Sequence, residues 1–410
     1  MRGSIAIAAV AGMTLALGAF AWRGASAGEA PRPAPVVAPP PKPAGPPPLT
    51  GVDLGHLEIE ADEVTAPAAA GRVAHLTLDP ALQRAALEIL RGHKIPEAAV
   101  VVTDVATGRV RVWASHVQKG PSRDLCAEAS APAASVFKIV TASSLVENAG
   151  LGPDTKQCYS GGENRINTQD LVDDPRRDRW CATLAEALGR SINTVFARLA
   201  QRHLTREQLG ATAAAFGFGD APPFDVAVAP SQLHFPDDKL GFARTAAGFW
   251  NTTLSPLEGA MLASTIASGG ELVRPSIVAR VTQGDAVLFE APAERTVVRR
   301  ALKPATAAAV GTMMEATVTG GTSFRAFHDA KGRSLLGEVA VAGKTGTLTR
   351  ADAEKYYTWF VGYAPAKAPE VAISVLVVNG PKWRVKANAI ARDVLRAHFA
   401  ARGASGVSAP

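Results

Sequence analysis

The sequence predicts an α+β fold: an antiparallel five-stranded sheet flanked by terminal helices, with a large all-helical subdomain set into it. Three observations predict this. An apolar run and an alternating run joined by a turn open the body of the chain. Three segments rich in β-branched and aromatic residues close it. A long stretch between them carries helical periodicity and helix caps.

The first element is "HLTLDPALQRAALEILRGH", His75–His93. Asp79 suits a helix N-cap, Pro80 fits the first helical position, and Gly92 suits the end. Leu82, Ala85, Ala86, Ile89 and Leu90 then share one face. "AAVVVTDVATGRVRVWASH" follows and reads as a hairpin, with a turn at Asp104–Gly108. From Pro132 to about Ala301 the chain reads as mostly helical. Helices are expected at Ser135–Asn148, Thr183–Leu204, Arg206–Phe216 and Ser255–Ser268. The last starts with "SPLE", where Ser255 caps and Glu258 is expected to complete a capping box. "LKPATAAAVGTMMEATV" gives another helix before Gly320–Gly321. "EVAVAGKTGT", "YYTWFVGYA" and "EVAISVLVVNG" then supply three strands, and "RVKANAIARDVLRAHFAA" a final helix. The sheet is expected from the first hairpin plus these three strands, with the terminal helices on one face and the helical insertion on the other.

The chain has 410 residues, of which 47% are hydrophobic and 20% charged, with a net charge of +6. This is a globular composition. The basic residues are scattered and no basic run is interleaved with aromatics, which argues against nucleic-acid binding. An uncharged run from Ser4 to Trp22 lies between Arg2 and Arg23, and "ASA" follows at Ala25–Ala27. Residues 1–27 therefore read as a membrane anchor or a cleaved signal peptide; either way the body is exported. Residues 28–72, with Pro31–Pro48 at their core, read as a Pro-rich extended linker. The main domain is expected over 73–403, its helical insertion over about 132–301, and a tail over 404–410.

Export makes a disulfide plausible. Cys158 and Cys181 bracket a polar, charged segment that looks like a long loop, so this pair is expected to bond, leaving Cys126 free. There is no CxxC and no paired-histidine spacing, so no metal or other cofactor is expected.

Three short patterns carry the chemistry: "SVFK" (Ser135–Lys138), "SIN" (Ser191–Asn193) and "KTGT" (Lys344–Thr347). Taken singly each is weak. A serine three residues before a lysine is usually coincidence, Ser and Asn near a helix usually cap it, and KTG on a strand is usually an exposed edge. In this order and context they form a set. Positions three apart share a helix face, so Ser135 and Lys138 can meet. A serine hydroxyl becomes a good nucleophile only when a neighbouring base takes its proton. A lysine is such a base only when neutral. Apolar neighbours (Val136, Phe137, Ile139, Val140) and a second cation, for which Lys344 is the candidate, would lower its pKa.

With this set the chain resembles the penicillin-binding transpeptidases, serine acyltransferases that cross-link peptidoglycan and share their fold with serine β-lactamases. "LTLDPALQRAALEIL", "AAVVVTDVATGRVRVWAS", "TTLSPLEGAMLASTIASGGELVRP" and "YYTWFVGYAPA" extend the likeness from about Ala74 to the C-terminal helix. The resemblance implies that Ser135 attacks a D-Ala-D-Ala stem peptide to form an acyl-enzyme, and that β-lactams acylate the same serine. It implies that Ser191 relays a proton to the leaving amine, and that Asn193 orients Lys138 and the substrate amide. Lys344 would add positive field, Thr345 and Thr347 would hold the substrate carboxylate, and Gly346 would let the strand approach it. The N–H groups of Ser135 and Thr347 would form the oxyanion hole.

Two departures stand out. Ala134 occupies a position where relatives often have glycine. Only Leu49–Arg72 separates the proline stretch from the catalytic unit, with no room there for a glycosyltransferase or pedestal domain, so glycan strands are expected from a glycosyltransferase partner. Three alternatives stay open: a D,D-carboxypeptidase or endopeptidase using water, a serine β-lactamase, and a wall-peptide receptor without turnover. Against the β-lactamase stands the absence of an E-x-x-L-N motif.

Overall fold

The computed structural model describes residues 46–162, 165–350 and 354–405. The expected anchor or signal segment (1–27), most of the proline stretch and most of the tail lie outside these residues. Among the described residues no helix is long and apolar enough to cross a membrane.

The central sheet has five antiparallel strands in the order Ala342–Arg350, Lys355–Ala364, Val371–Asn379, Glu97–Asp104 and Val110–Val117. These are the first hairpin and the last three strands. Alternation sorts their side chains to two faces. Ala98, Val100 and Val102 join a core with Leu82, Leu90, Ile390 and Val394 of the two terminal helices, Pro80–Gly92 and Ala387–Ser405. Ala99, Val101 and Trp359 join the larger core on the opposite face, with Phe137, Leu257 and Met261 of the helical layer. Val371–Asn379, buried at all nine positions, runs through the middle. Asp79 accepts bonds from the N–H groups of Ala81 and Leu82, as its cap position predicts.

The structure departs from expectation in four places. Within the 28–72 segment expected to be extended linker, Glu58–Ile59 and Val64–Ala68 are strands. With Arg72–Leu76 and two strands from beyond the helices, Val278–Gln283 and Ala286–Glu290, they make a second antiparallel sheet. The subdomain expected to be all-helical thus contains strands, both near its end and in the hairpin of Lys156–Tyr159 with Trp180–Thr183. The helix expected over Thr183–Leu204 is two, Leu184–Gly189 and Asn193–His203, because Ser191 adopts φ +59° and no helix continues through a left-handed residue. The helix expected from Ser135 opens as a 3₁₀ turn, Ala134–Phe137, and becomes α-helical only over Lys138–Ala149. Finally, Ser255 caps Pro256–Ala267 by accepting the Glu258 N–H, but the Glu258 carboxyl does not reach back to complete a capping box. It turns inward, where its Oε2 accepts the Ser231 N–H at 3.2 Å.

Candidate functional site

The three motifs meet at the edge of the central sheet. Ser135 lies in the tight turn of Ala134–Phe137, wedged between the Lys344 strand and the segment around Gly248. Ala134 is fully buried at φ +50°, the left-handed region that glycine adopts freely and that costs an L-residue about 1–2 kcal/mol. Gly248 fits against it because it has no side chain; a Cβ there would lie 2.5 Å from the Ala134 carbonyl oxygen. Gly346 is equally constrained on the other flank, where a Cβ would stand 3.2 Å from the Ala133 oxygen and from the Ala134 methyl.

Lys138, one turn on, is fully buried. Its Nζ lies 2.8 Å from Ser135 Oγ, 2.6 Å from Asn193 Oδ1 and 2.5 Å from the Ala247 carbonyl oxygen. The Phe196 ring lies 5.7 Å away. Burial, and then the charge of Lys344, hold its pKa well below that of an ordinary lysine. Lys344 is buried too, and burial lowers its pKa to about 7. Its Nζ lies 3.0 Å from Ser191 Oγ and 2.8 Å from the Thr345 carbonyl oxygen. No carboxylate contributes to either shift. The left-handed turn at Ser191 is what brings its hydroxyl to Lys344, so the residue that breaks the expected helix is a site residue.

The partners of Lys138 suit an amine. Two are carbonyl oxygens that can only accept, and they match the two N–H bonds of a neutral –NH₂. The third is the Ser135 hydroxyl, which can donate to the remaining lone pair. The geometry therefore accommodates Lys138 as a base toward Ser135.

Asn193 opens the helix Asn193–His203, which is braced from outside. Thr194 donates to the Gly161 carbonyl at 2.8 Å. Arg198, fully buried, donates to both oxygens of Asp178 (2.6 and 3.1 Å) and to the carbonyls of Asp170 and Cys158. These acceptors belong to the segment that Cys158 and Cys181 close with a disulfide across a short hairpin; Cys126 is free and buried. The bracketed loop thus buttresses the helix that presents Asn193 to Lys138.

A cavity of about 350 Å³ opens over these groups, lined by Ser135, Ser191, Asn193, Thr345, Gly346 and Thr347 among others. A second hollow of about 320 Å³ continues from Ser135 past Thr347–Thr349 to Phe249 and Trp250. Six of the eight residues expected at the catalytic site therefore line one cleft, and the other two, Lys138 and Lys344, lie buried beneath it against Ser135 and Ser191. Sequence reasoning missed Ala247, which contributes only a carbonyl, and Thr322, whose hydroxyl lies 2.6 Å from that of Thr345. The Gly320–Gly321 break was the one signal near Thr322, and nothing in residue type marks Ala247. Among the described residues no group of three or more His, Cys, Asp or Glu side chains is placed to hold a metal ion.

Comparison with known proteins agrees with this geometry. The family described as "Penicillin binding protein transpeptidase domain" matches residues 98–396. The chain is 27% identical over 362 residues to the peptidoglycan D,D-transpeptidase PbpA of Mycolicibacterium smegmatis, covering 79% of this chain and 71% of that protein. It is 29% identical over 258 residues to the protein of the same name from Mycobacterium tuberculosis, spanning 61% of this chain but only half of the relative. Among solved structures, the imipenem acyl-enzyme of M. tuberculosis penicillin-binding protein A superposes with a TM-score of 0.66 at 25% identity, over 80% of this chain and 79% of that one. The D,D-transpeptidase domain of an Eggerthella lenta peptidoglycan glycosyltransferase gives 0.66 at 25%, over 81% and 84%.

Proposed function

Because the chain belongs to the penicillin-binding protein transpeptidase family, we propose that it is a peptidoglycan D,D-transpeptidase acting through a serine acyl-enzyme. The observation that carries the reading is the set of three contacts around the buried Lys138 amine. Lys138 takes the Ser135 proton as Ser135 Oγ attacks the carbonyl between the two D-alanines of a stem peptide. The developing oxyanion is met by the N–H groups of Ser135 and Thr347. Ser191, hydrogen-bonded to Lys344, passes a proton to the nitrogen of the departing D-alanine as the C–N bond breaks. An amine from a second stem peptide then attacks the ester, forms the cross-link and releases Ser135. A β-lactam enters as the acyl donor and stays attached, because its ring-opened leaving group remains tethered in the cleft.

The body works outside the cytoplasmic membrane, held there by residues 4–22 or released after cleavage beyond Ala27. It acts on glycan strands that a glycosyltransferase supplies.

The test is incubation of the purified protein with a D-Ala-D-Ala pentapeptide, with and without a D-amino acid acceptor, read by mass spectrometry. Exchange of the terminal residue for the acceptor is expected. Release of D-alanine with no exchange product would replace transfer with hydrolysis, the carboxypeptidase reading. Release of a bound β-lactam within seconds would indicate a β-lactamase.

A further inference from the structure

The proposed reaction needs a cation for the carboxylate on the leaving D-alanine, and Lys344 is poorly placed to be the sole one. It is fully buried, and its Nζ is already engaged by Ser191 Oγ and the Thr345 carbonyl. Burial also brings its pKa down to about 7, so its charge is partial near neutrality.

We propose that Lys386, acting beside the hydroxyls of Thr322, Thr345 and Thr347, recognises the carboxylate at the leaving-group end of the substrate and sets specificity for acidic C-termini. This rests on the transpeptidase reading above. Three observations support it. First, Lys386 lines the same cavity as Ser135, Thr345 and Thr347, and among the described residues lining that cavity it is the only charged one. Second, its ammonium is exposed and sits over the Trp383 ring, 5.5 Å from the centroid, and it forms no ion pair among the described residues. Its charge is therefore available to a ligand.

Third, the backbone that carries Lys386 is fixed from both sides. Asn379 donates to the Val385 carbonyl and accepts the Arg384 N–H, both at 3.0 Å. The Ala387 N–H donates to Thr358 Oγ1 at 3.2 Å, and the buried Asn388 side chain donates to Ser323 Oγ at 3.3 Å. Ser323 adjoins Thr322, so the loop that supplies Thr322 and the start of the C-terminal helix are tied together. Thr322 Oγ1 lies 2.6 Å from Thr345 Oγ1. Thr322 is also placed to donate to the Gly189 carbonyl, at 3.3 Å; when it turns its proton to Thr345 instead, the Thr345 O–H is left to donate to an acceptor in the cavity. One cation and two or three hydroxyls around a polar hollow make a carboxylate site.

The experiment uses the full chain and a fluorescent penicillin, which carries a free carboxylate, with acylation followed against penicillin concentration. Lys386 is on the surface, so its variants should fold; melting temperatures check this. Lys386→Gln is expected to raise the half-saturating concentration about five- to ten-fold, the equivalent of roughly 1–1.4 kcal/mol. Lys386→Glu should raise it further, and Lys386→Arg should stay near wild type. The limiting acylation rate should change less than about two-fold, because Lys386 acts on binding rather than on the proton transfer. An unchanged half-saturating concentration in Lys386→Gln, or a loss confined to the limiting rate, would overturn the proposal while leaving the transpeptidase reading intact. A wild-type protein that is not acylated at all would overturn both.

Discussion

Glu258 gives the sharpest quantitative test of how the helical layer is packed. Its side chain is fully buried at the start of Pro256–Ala267. Burial raises its pKa from 4.5 to about 7, against the lowering effect of bonds from Ser231, and the charge of Asp220 pushes the same way as burial. Its Oε1 has no hydrogen-bond partner among the described residues. In the unfolded chain the carboxyl ionises near 4.5; in the folded chain it stays neutral until about pH 7. Between those values the unfolded state binds fewer protons, so stability falls as pH rises. At 1.36 kcal/mol per pH unit, the gap from 4.5 to about 7 amounts to roughly 3 kcal/mol. Glu258→Gln removes that titration while keeping the size and the acceptor for the Ser231 N–H. It also adds amide N–H groups in need of partners, which costs about the same at every pH. The informative quantity is therefore the pH dependence of the difference between variant and wild type. Urea unfolding at pH 5, 6, 7 and 8.5 should show Glu258→Gln gaining about 2–3 kcal/mol relative to wild type across the series, since part of the effect has already developed at pH 5, with a plateau above pH 8. Parallel profiles for the two proteins would refute the claim that this carboxyl is buried in its neutral form.

Three further outcomes follow. Acylation should rise with pH on the acid side, as Lys138 loses its proton at a pKa far below that of a free lysine, and fall again near pH 7 as Lys344 is neutralised. Lys344→Arg should remove the alkaline fall, and a profile with the same fall in that variant would assign it to another group. Replacing Cys158 and Cys181 by serine frees a loop with a sequence separation of 23. It should cost about 3 kcal/mol by loop entropy and slow acylation, because that loop braces the Asn193 helix; unchanged acylation kinetics would remove the bracing role. Gly248→Ala should lower acylation at least ten-fold: the new methyl would press on the Ala134 carbonyl, and the substitution is strained at φ +79°. A variant with wild-type kinetics would show that the Ser135 turn tolerates displacement.

The central sheet was legible because its strands carry their own signal. Val371–Asn379 is apolar at seven of its nine positions and buried throughout, and Asp79–Pro80 marks a helix start by local chemistry alone. Ser135, Lys138, Ser191, Asn193 and the KTGT residues were legible as motifs, since short fixed spacings survive without knowledge of the fold. What stayed hidden depended on distant partners. The second sheet pairs Arg72–Leu76 with Val278–Gln283, some 200 positions away, and its strands near the N-terminus are too short to show alternation. Glu258 had the right spacing for a capping box, yet its carboxyl went to Ser231 in a loop that only the fold brings near. The break at Ser191 left no mark in the apolar periodicity on either side of it. Ala247 contributes a backbone carbonyl, and Lys386 is one exposed lysine among many, so neither residue type distinguished them.

The central claim is that Ser135 is the nucleophile and that the cleft around it binds an acyl donor covalently. Labelling with a fluorescent penicillin, followed by denaturing electrophoresis, tests this most directly in wild type and Ser135→Ala. The account predicts a stable covalent band in the wild type, absent from the variant, with both proteins showing the same melting temperature. A band of equal intensity in Ser135→Ala would place the acylated residue elsewhere and contradict the account.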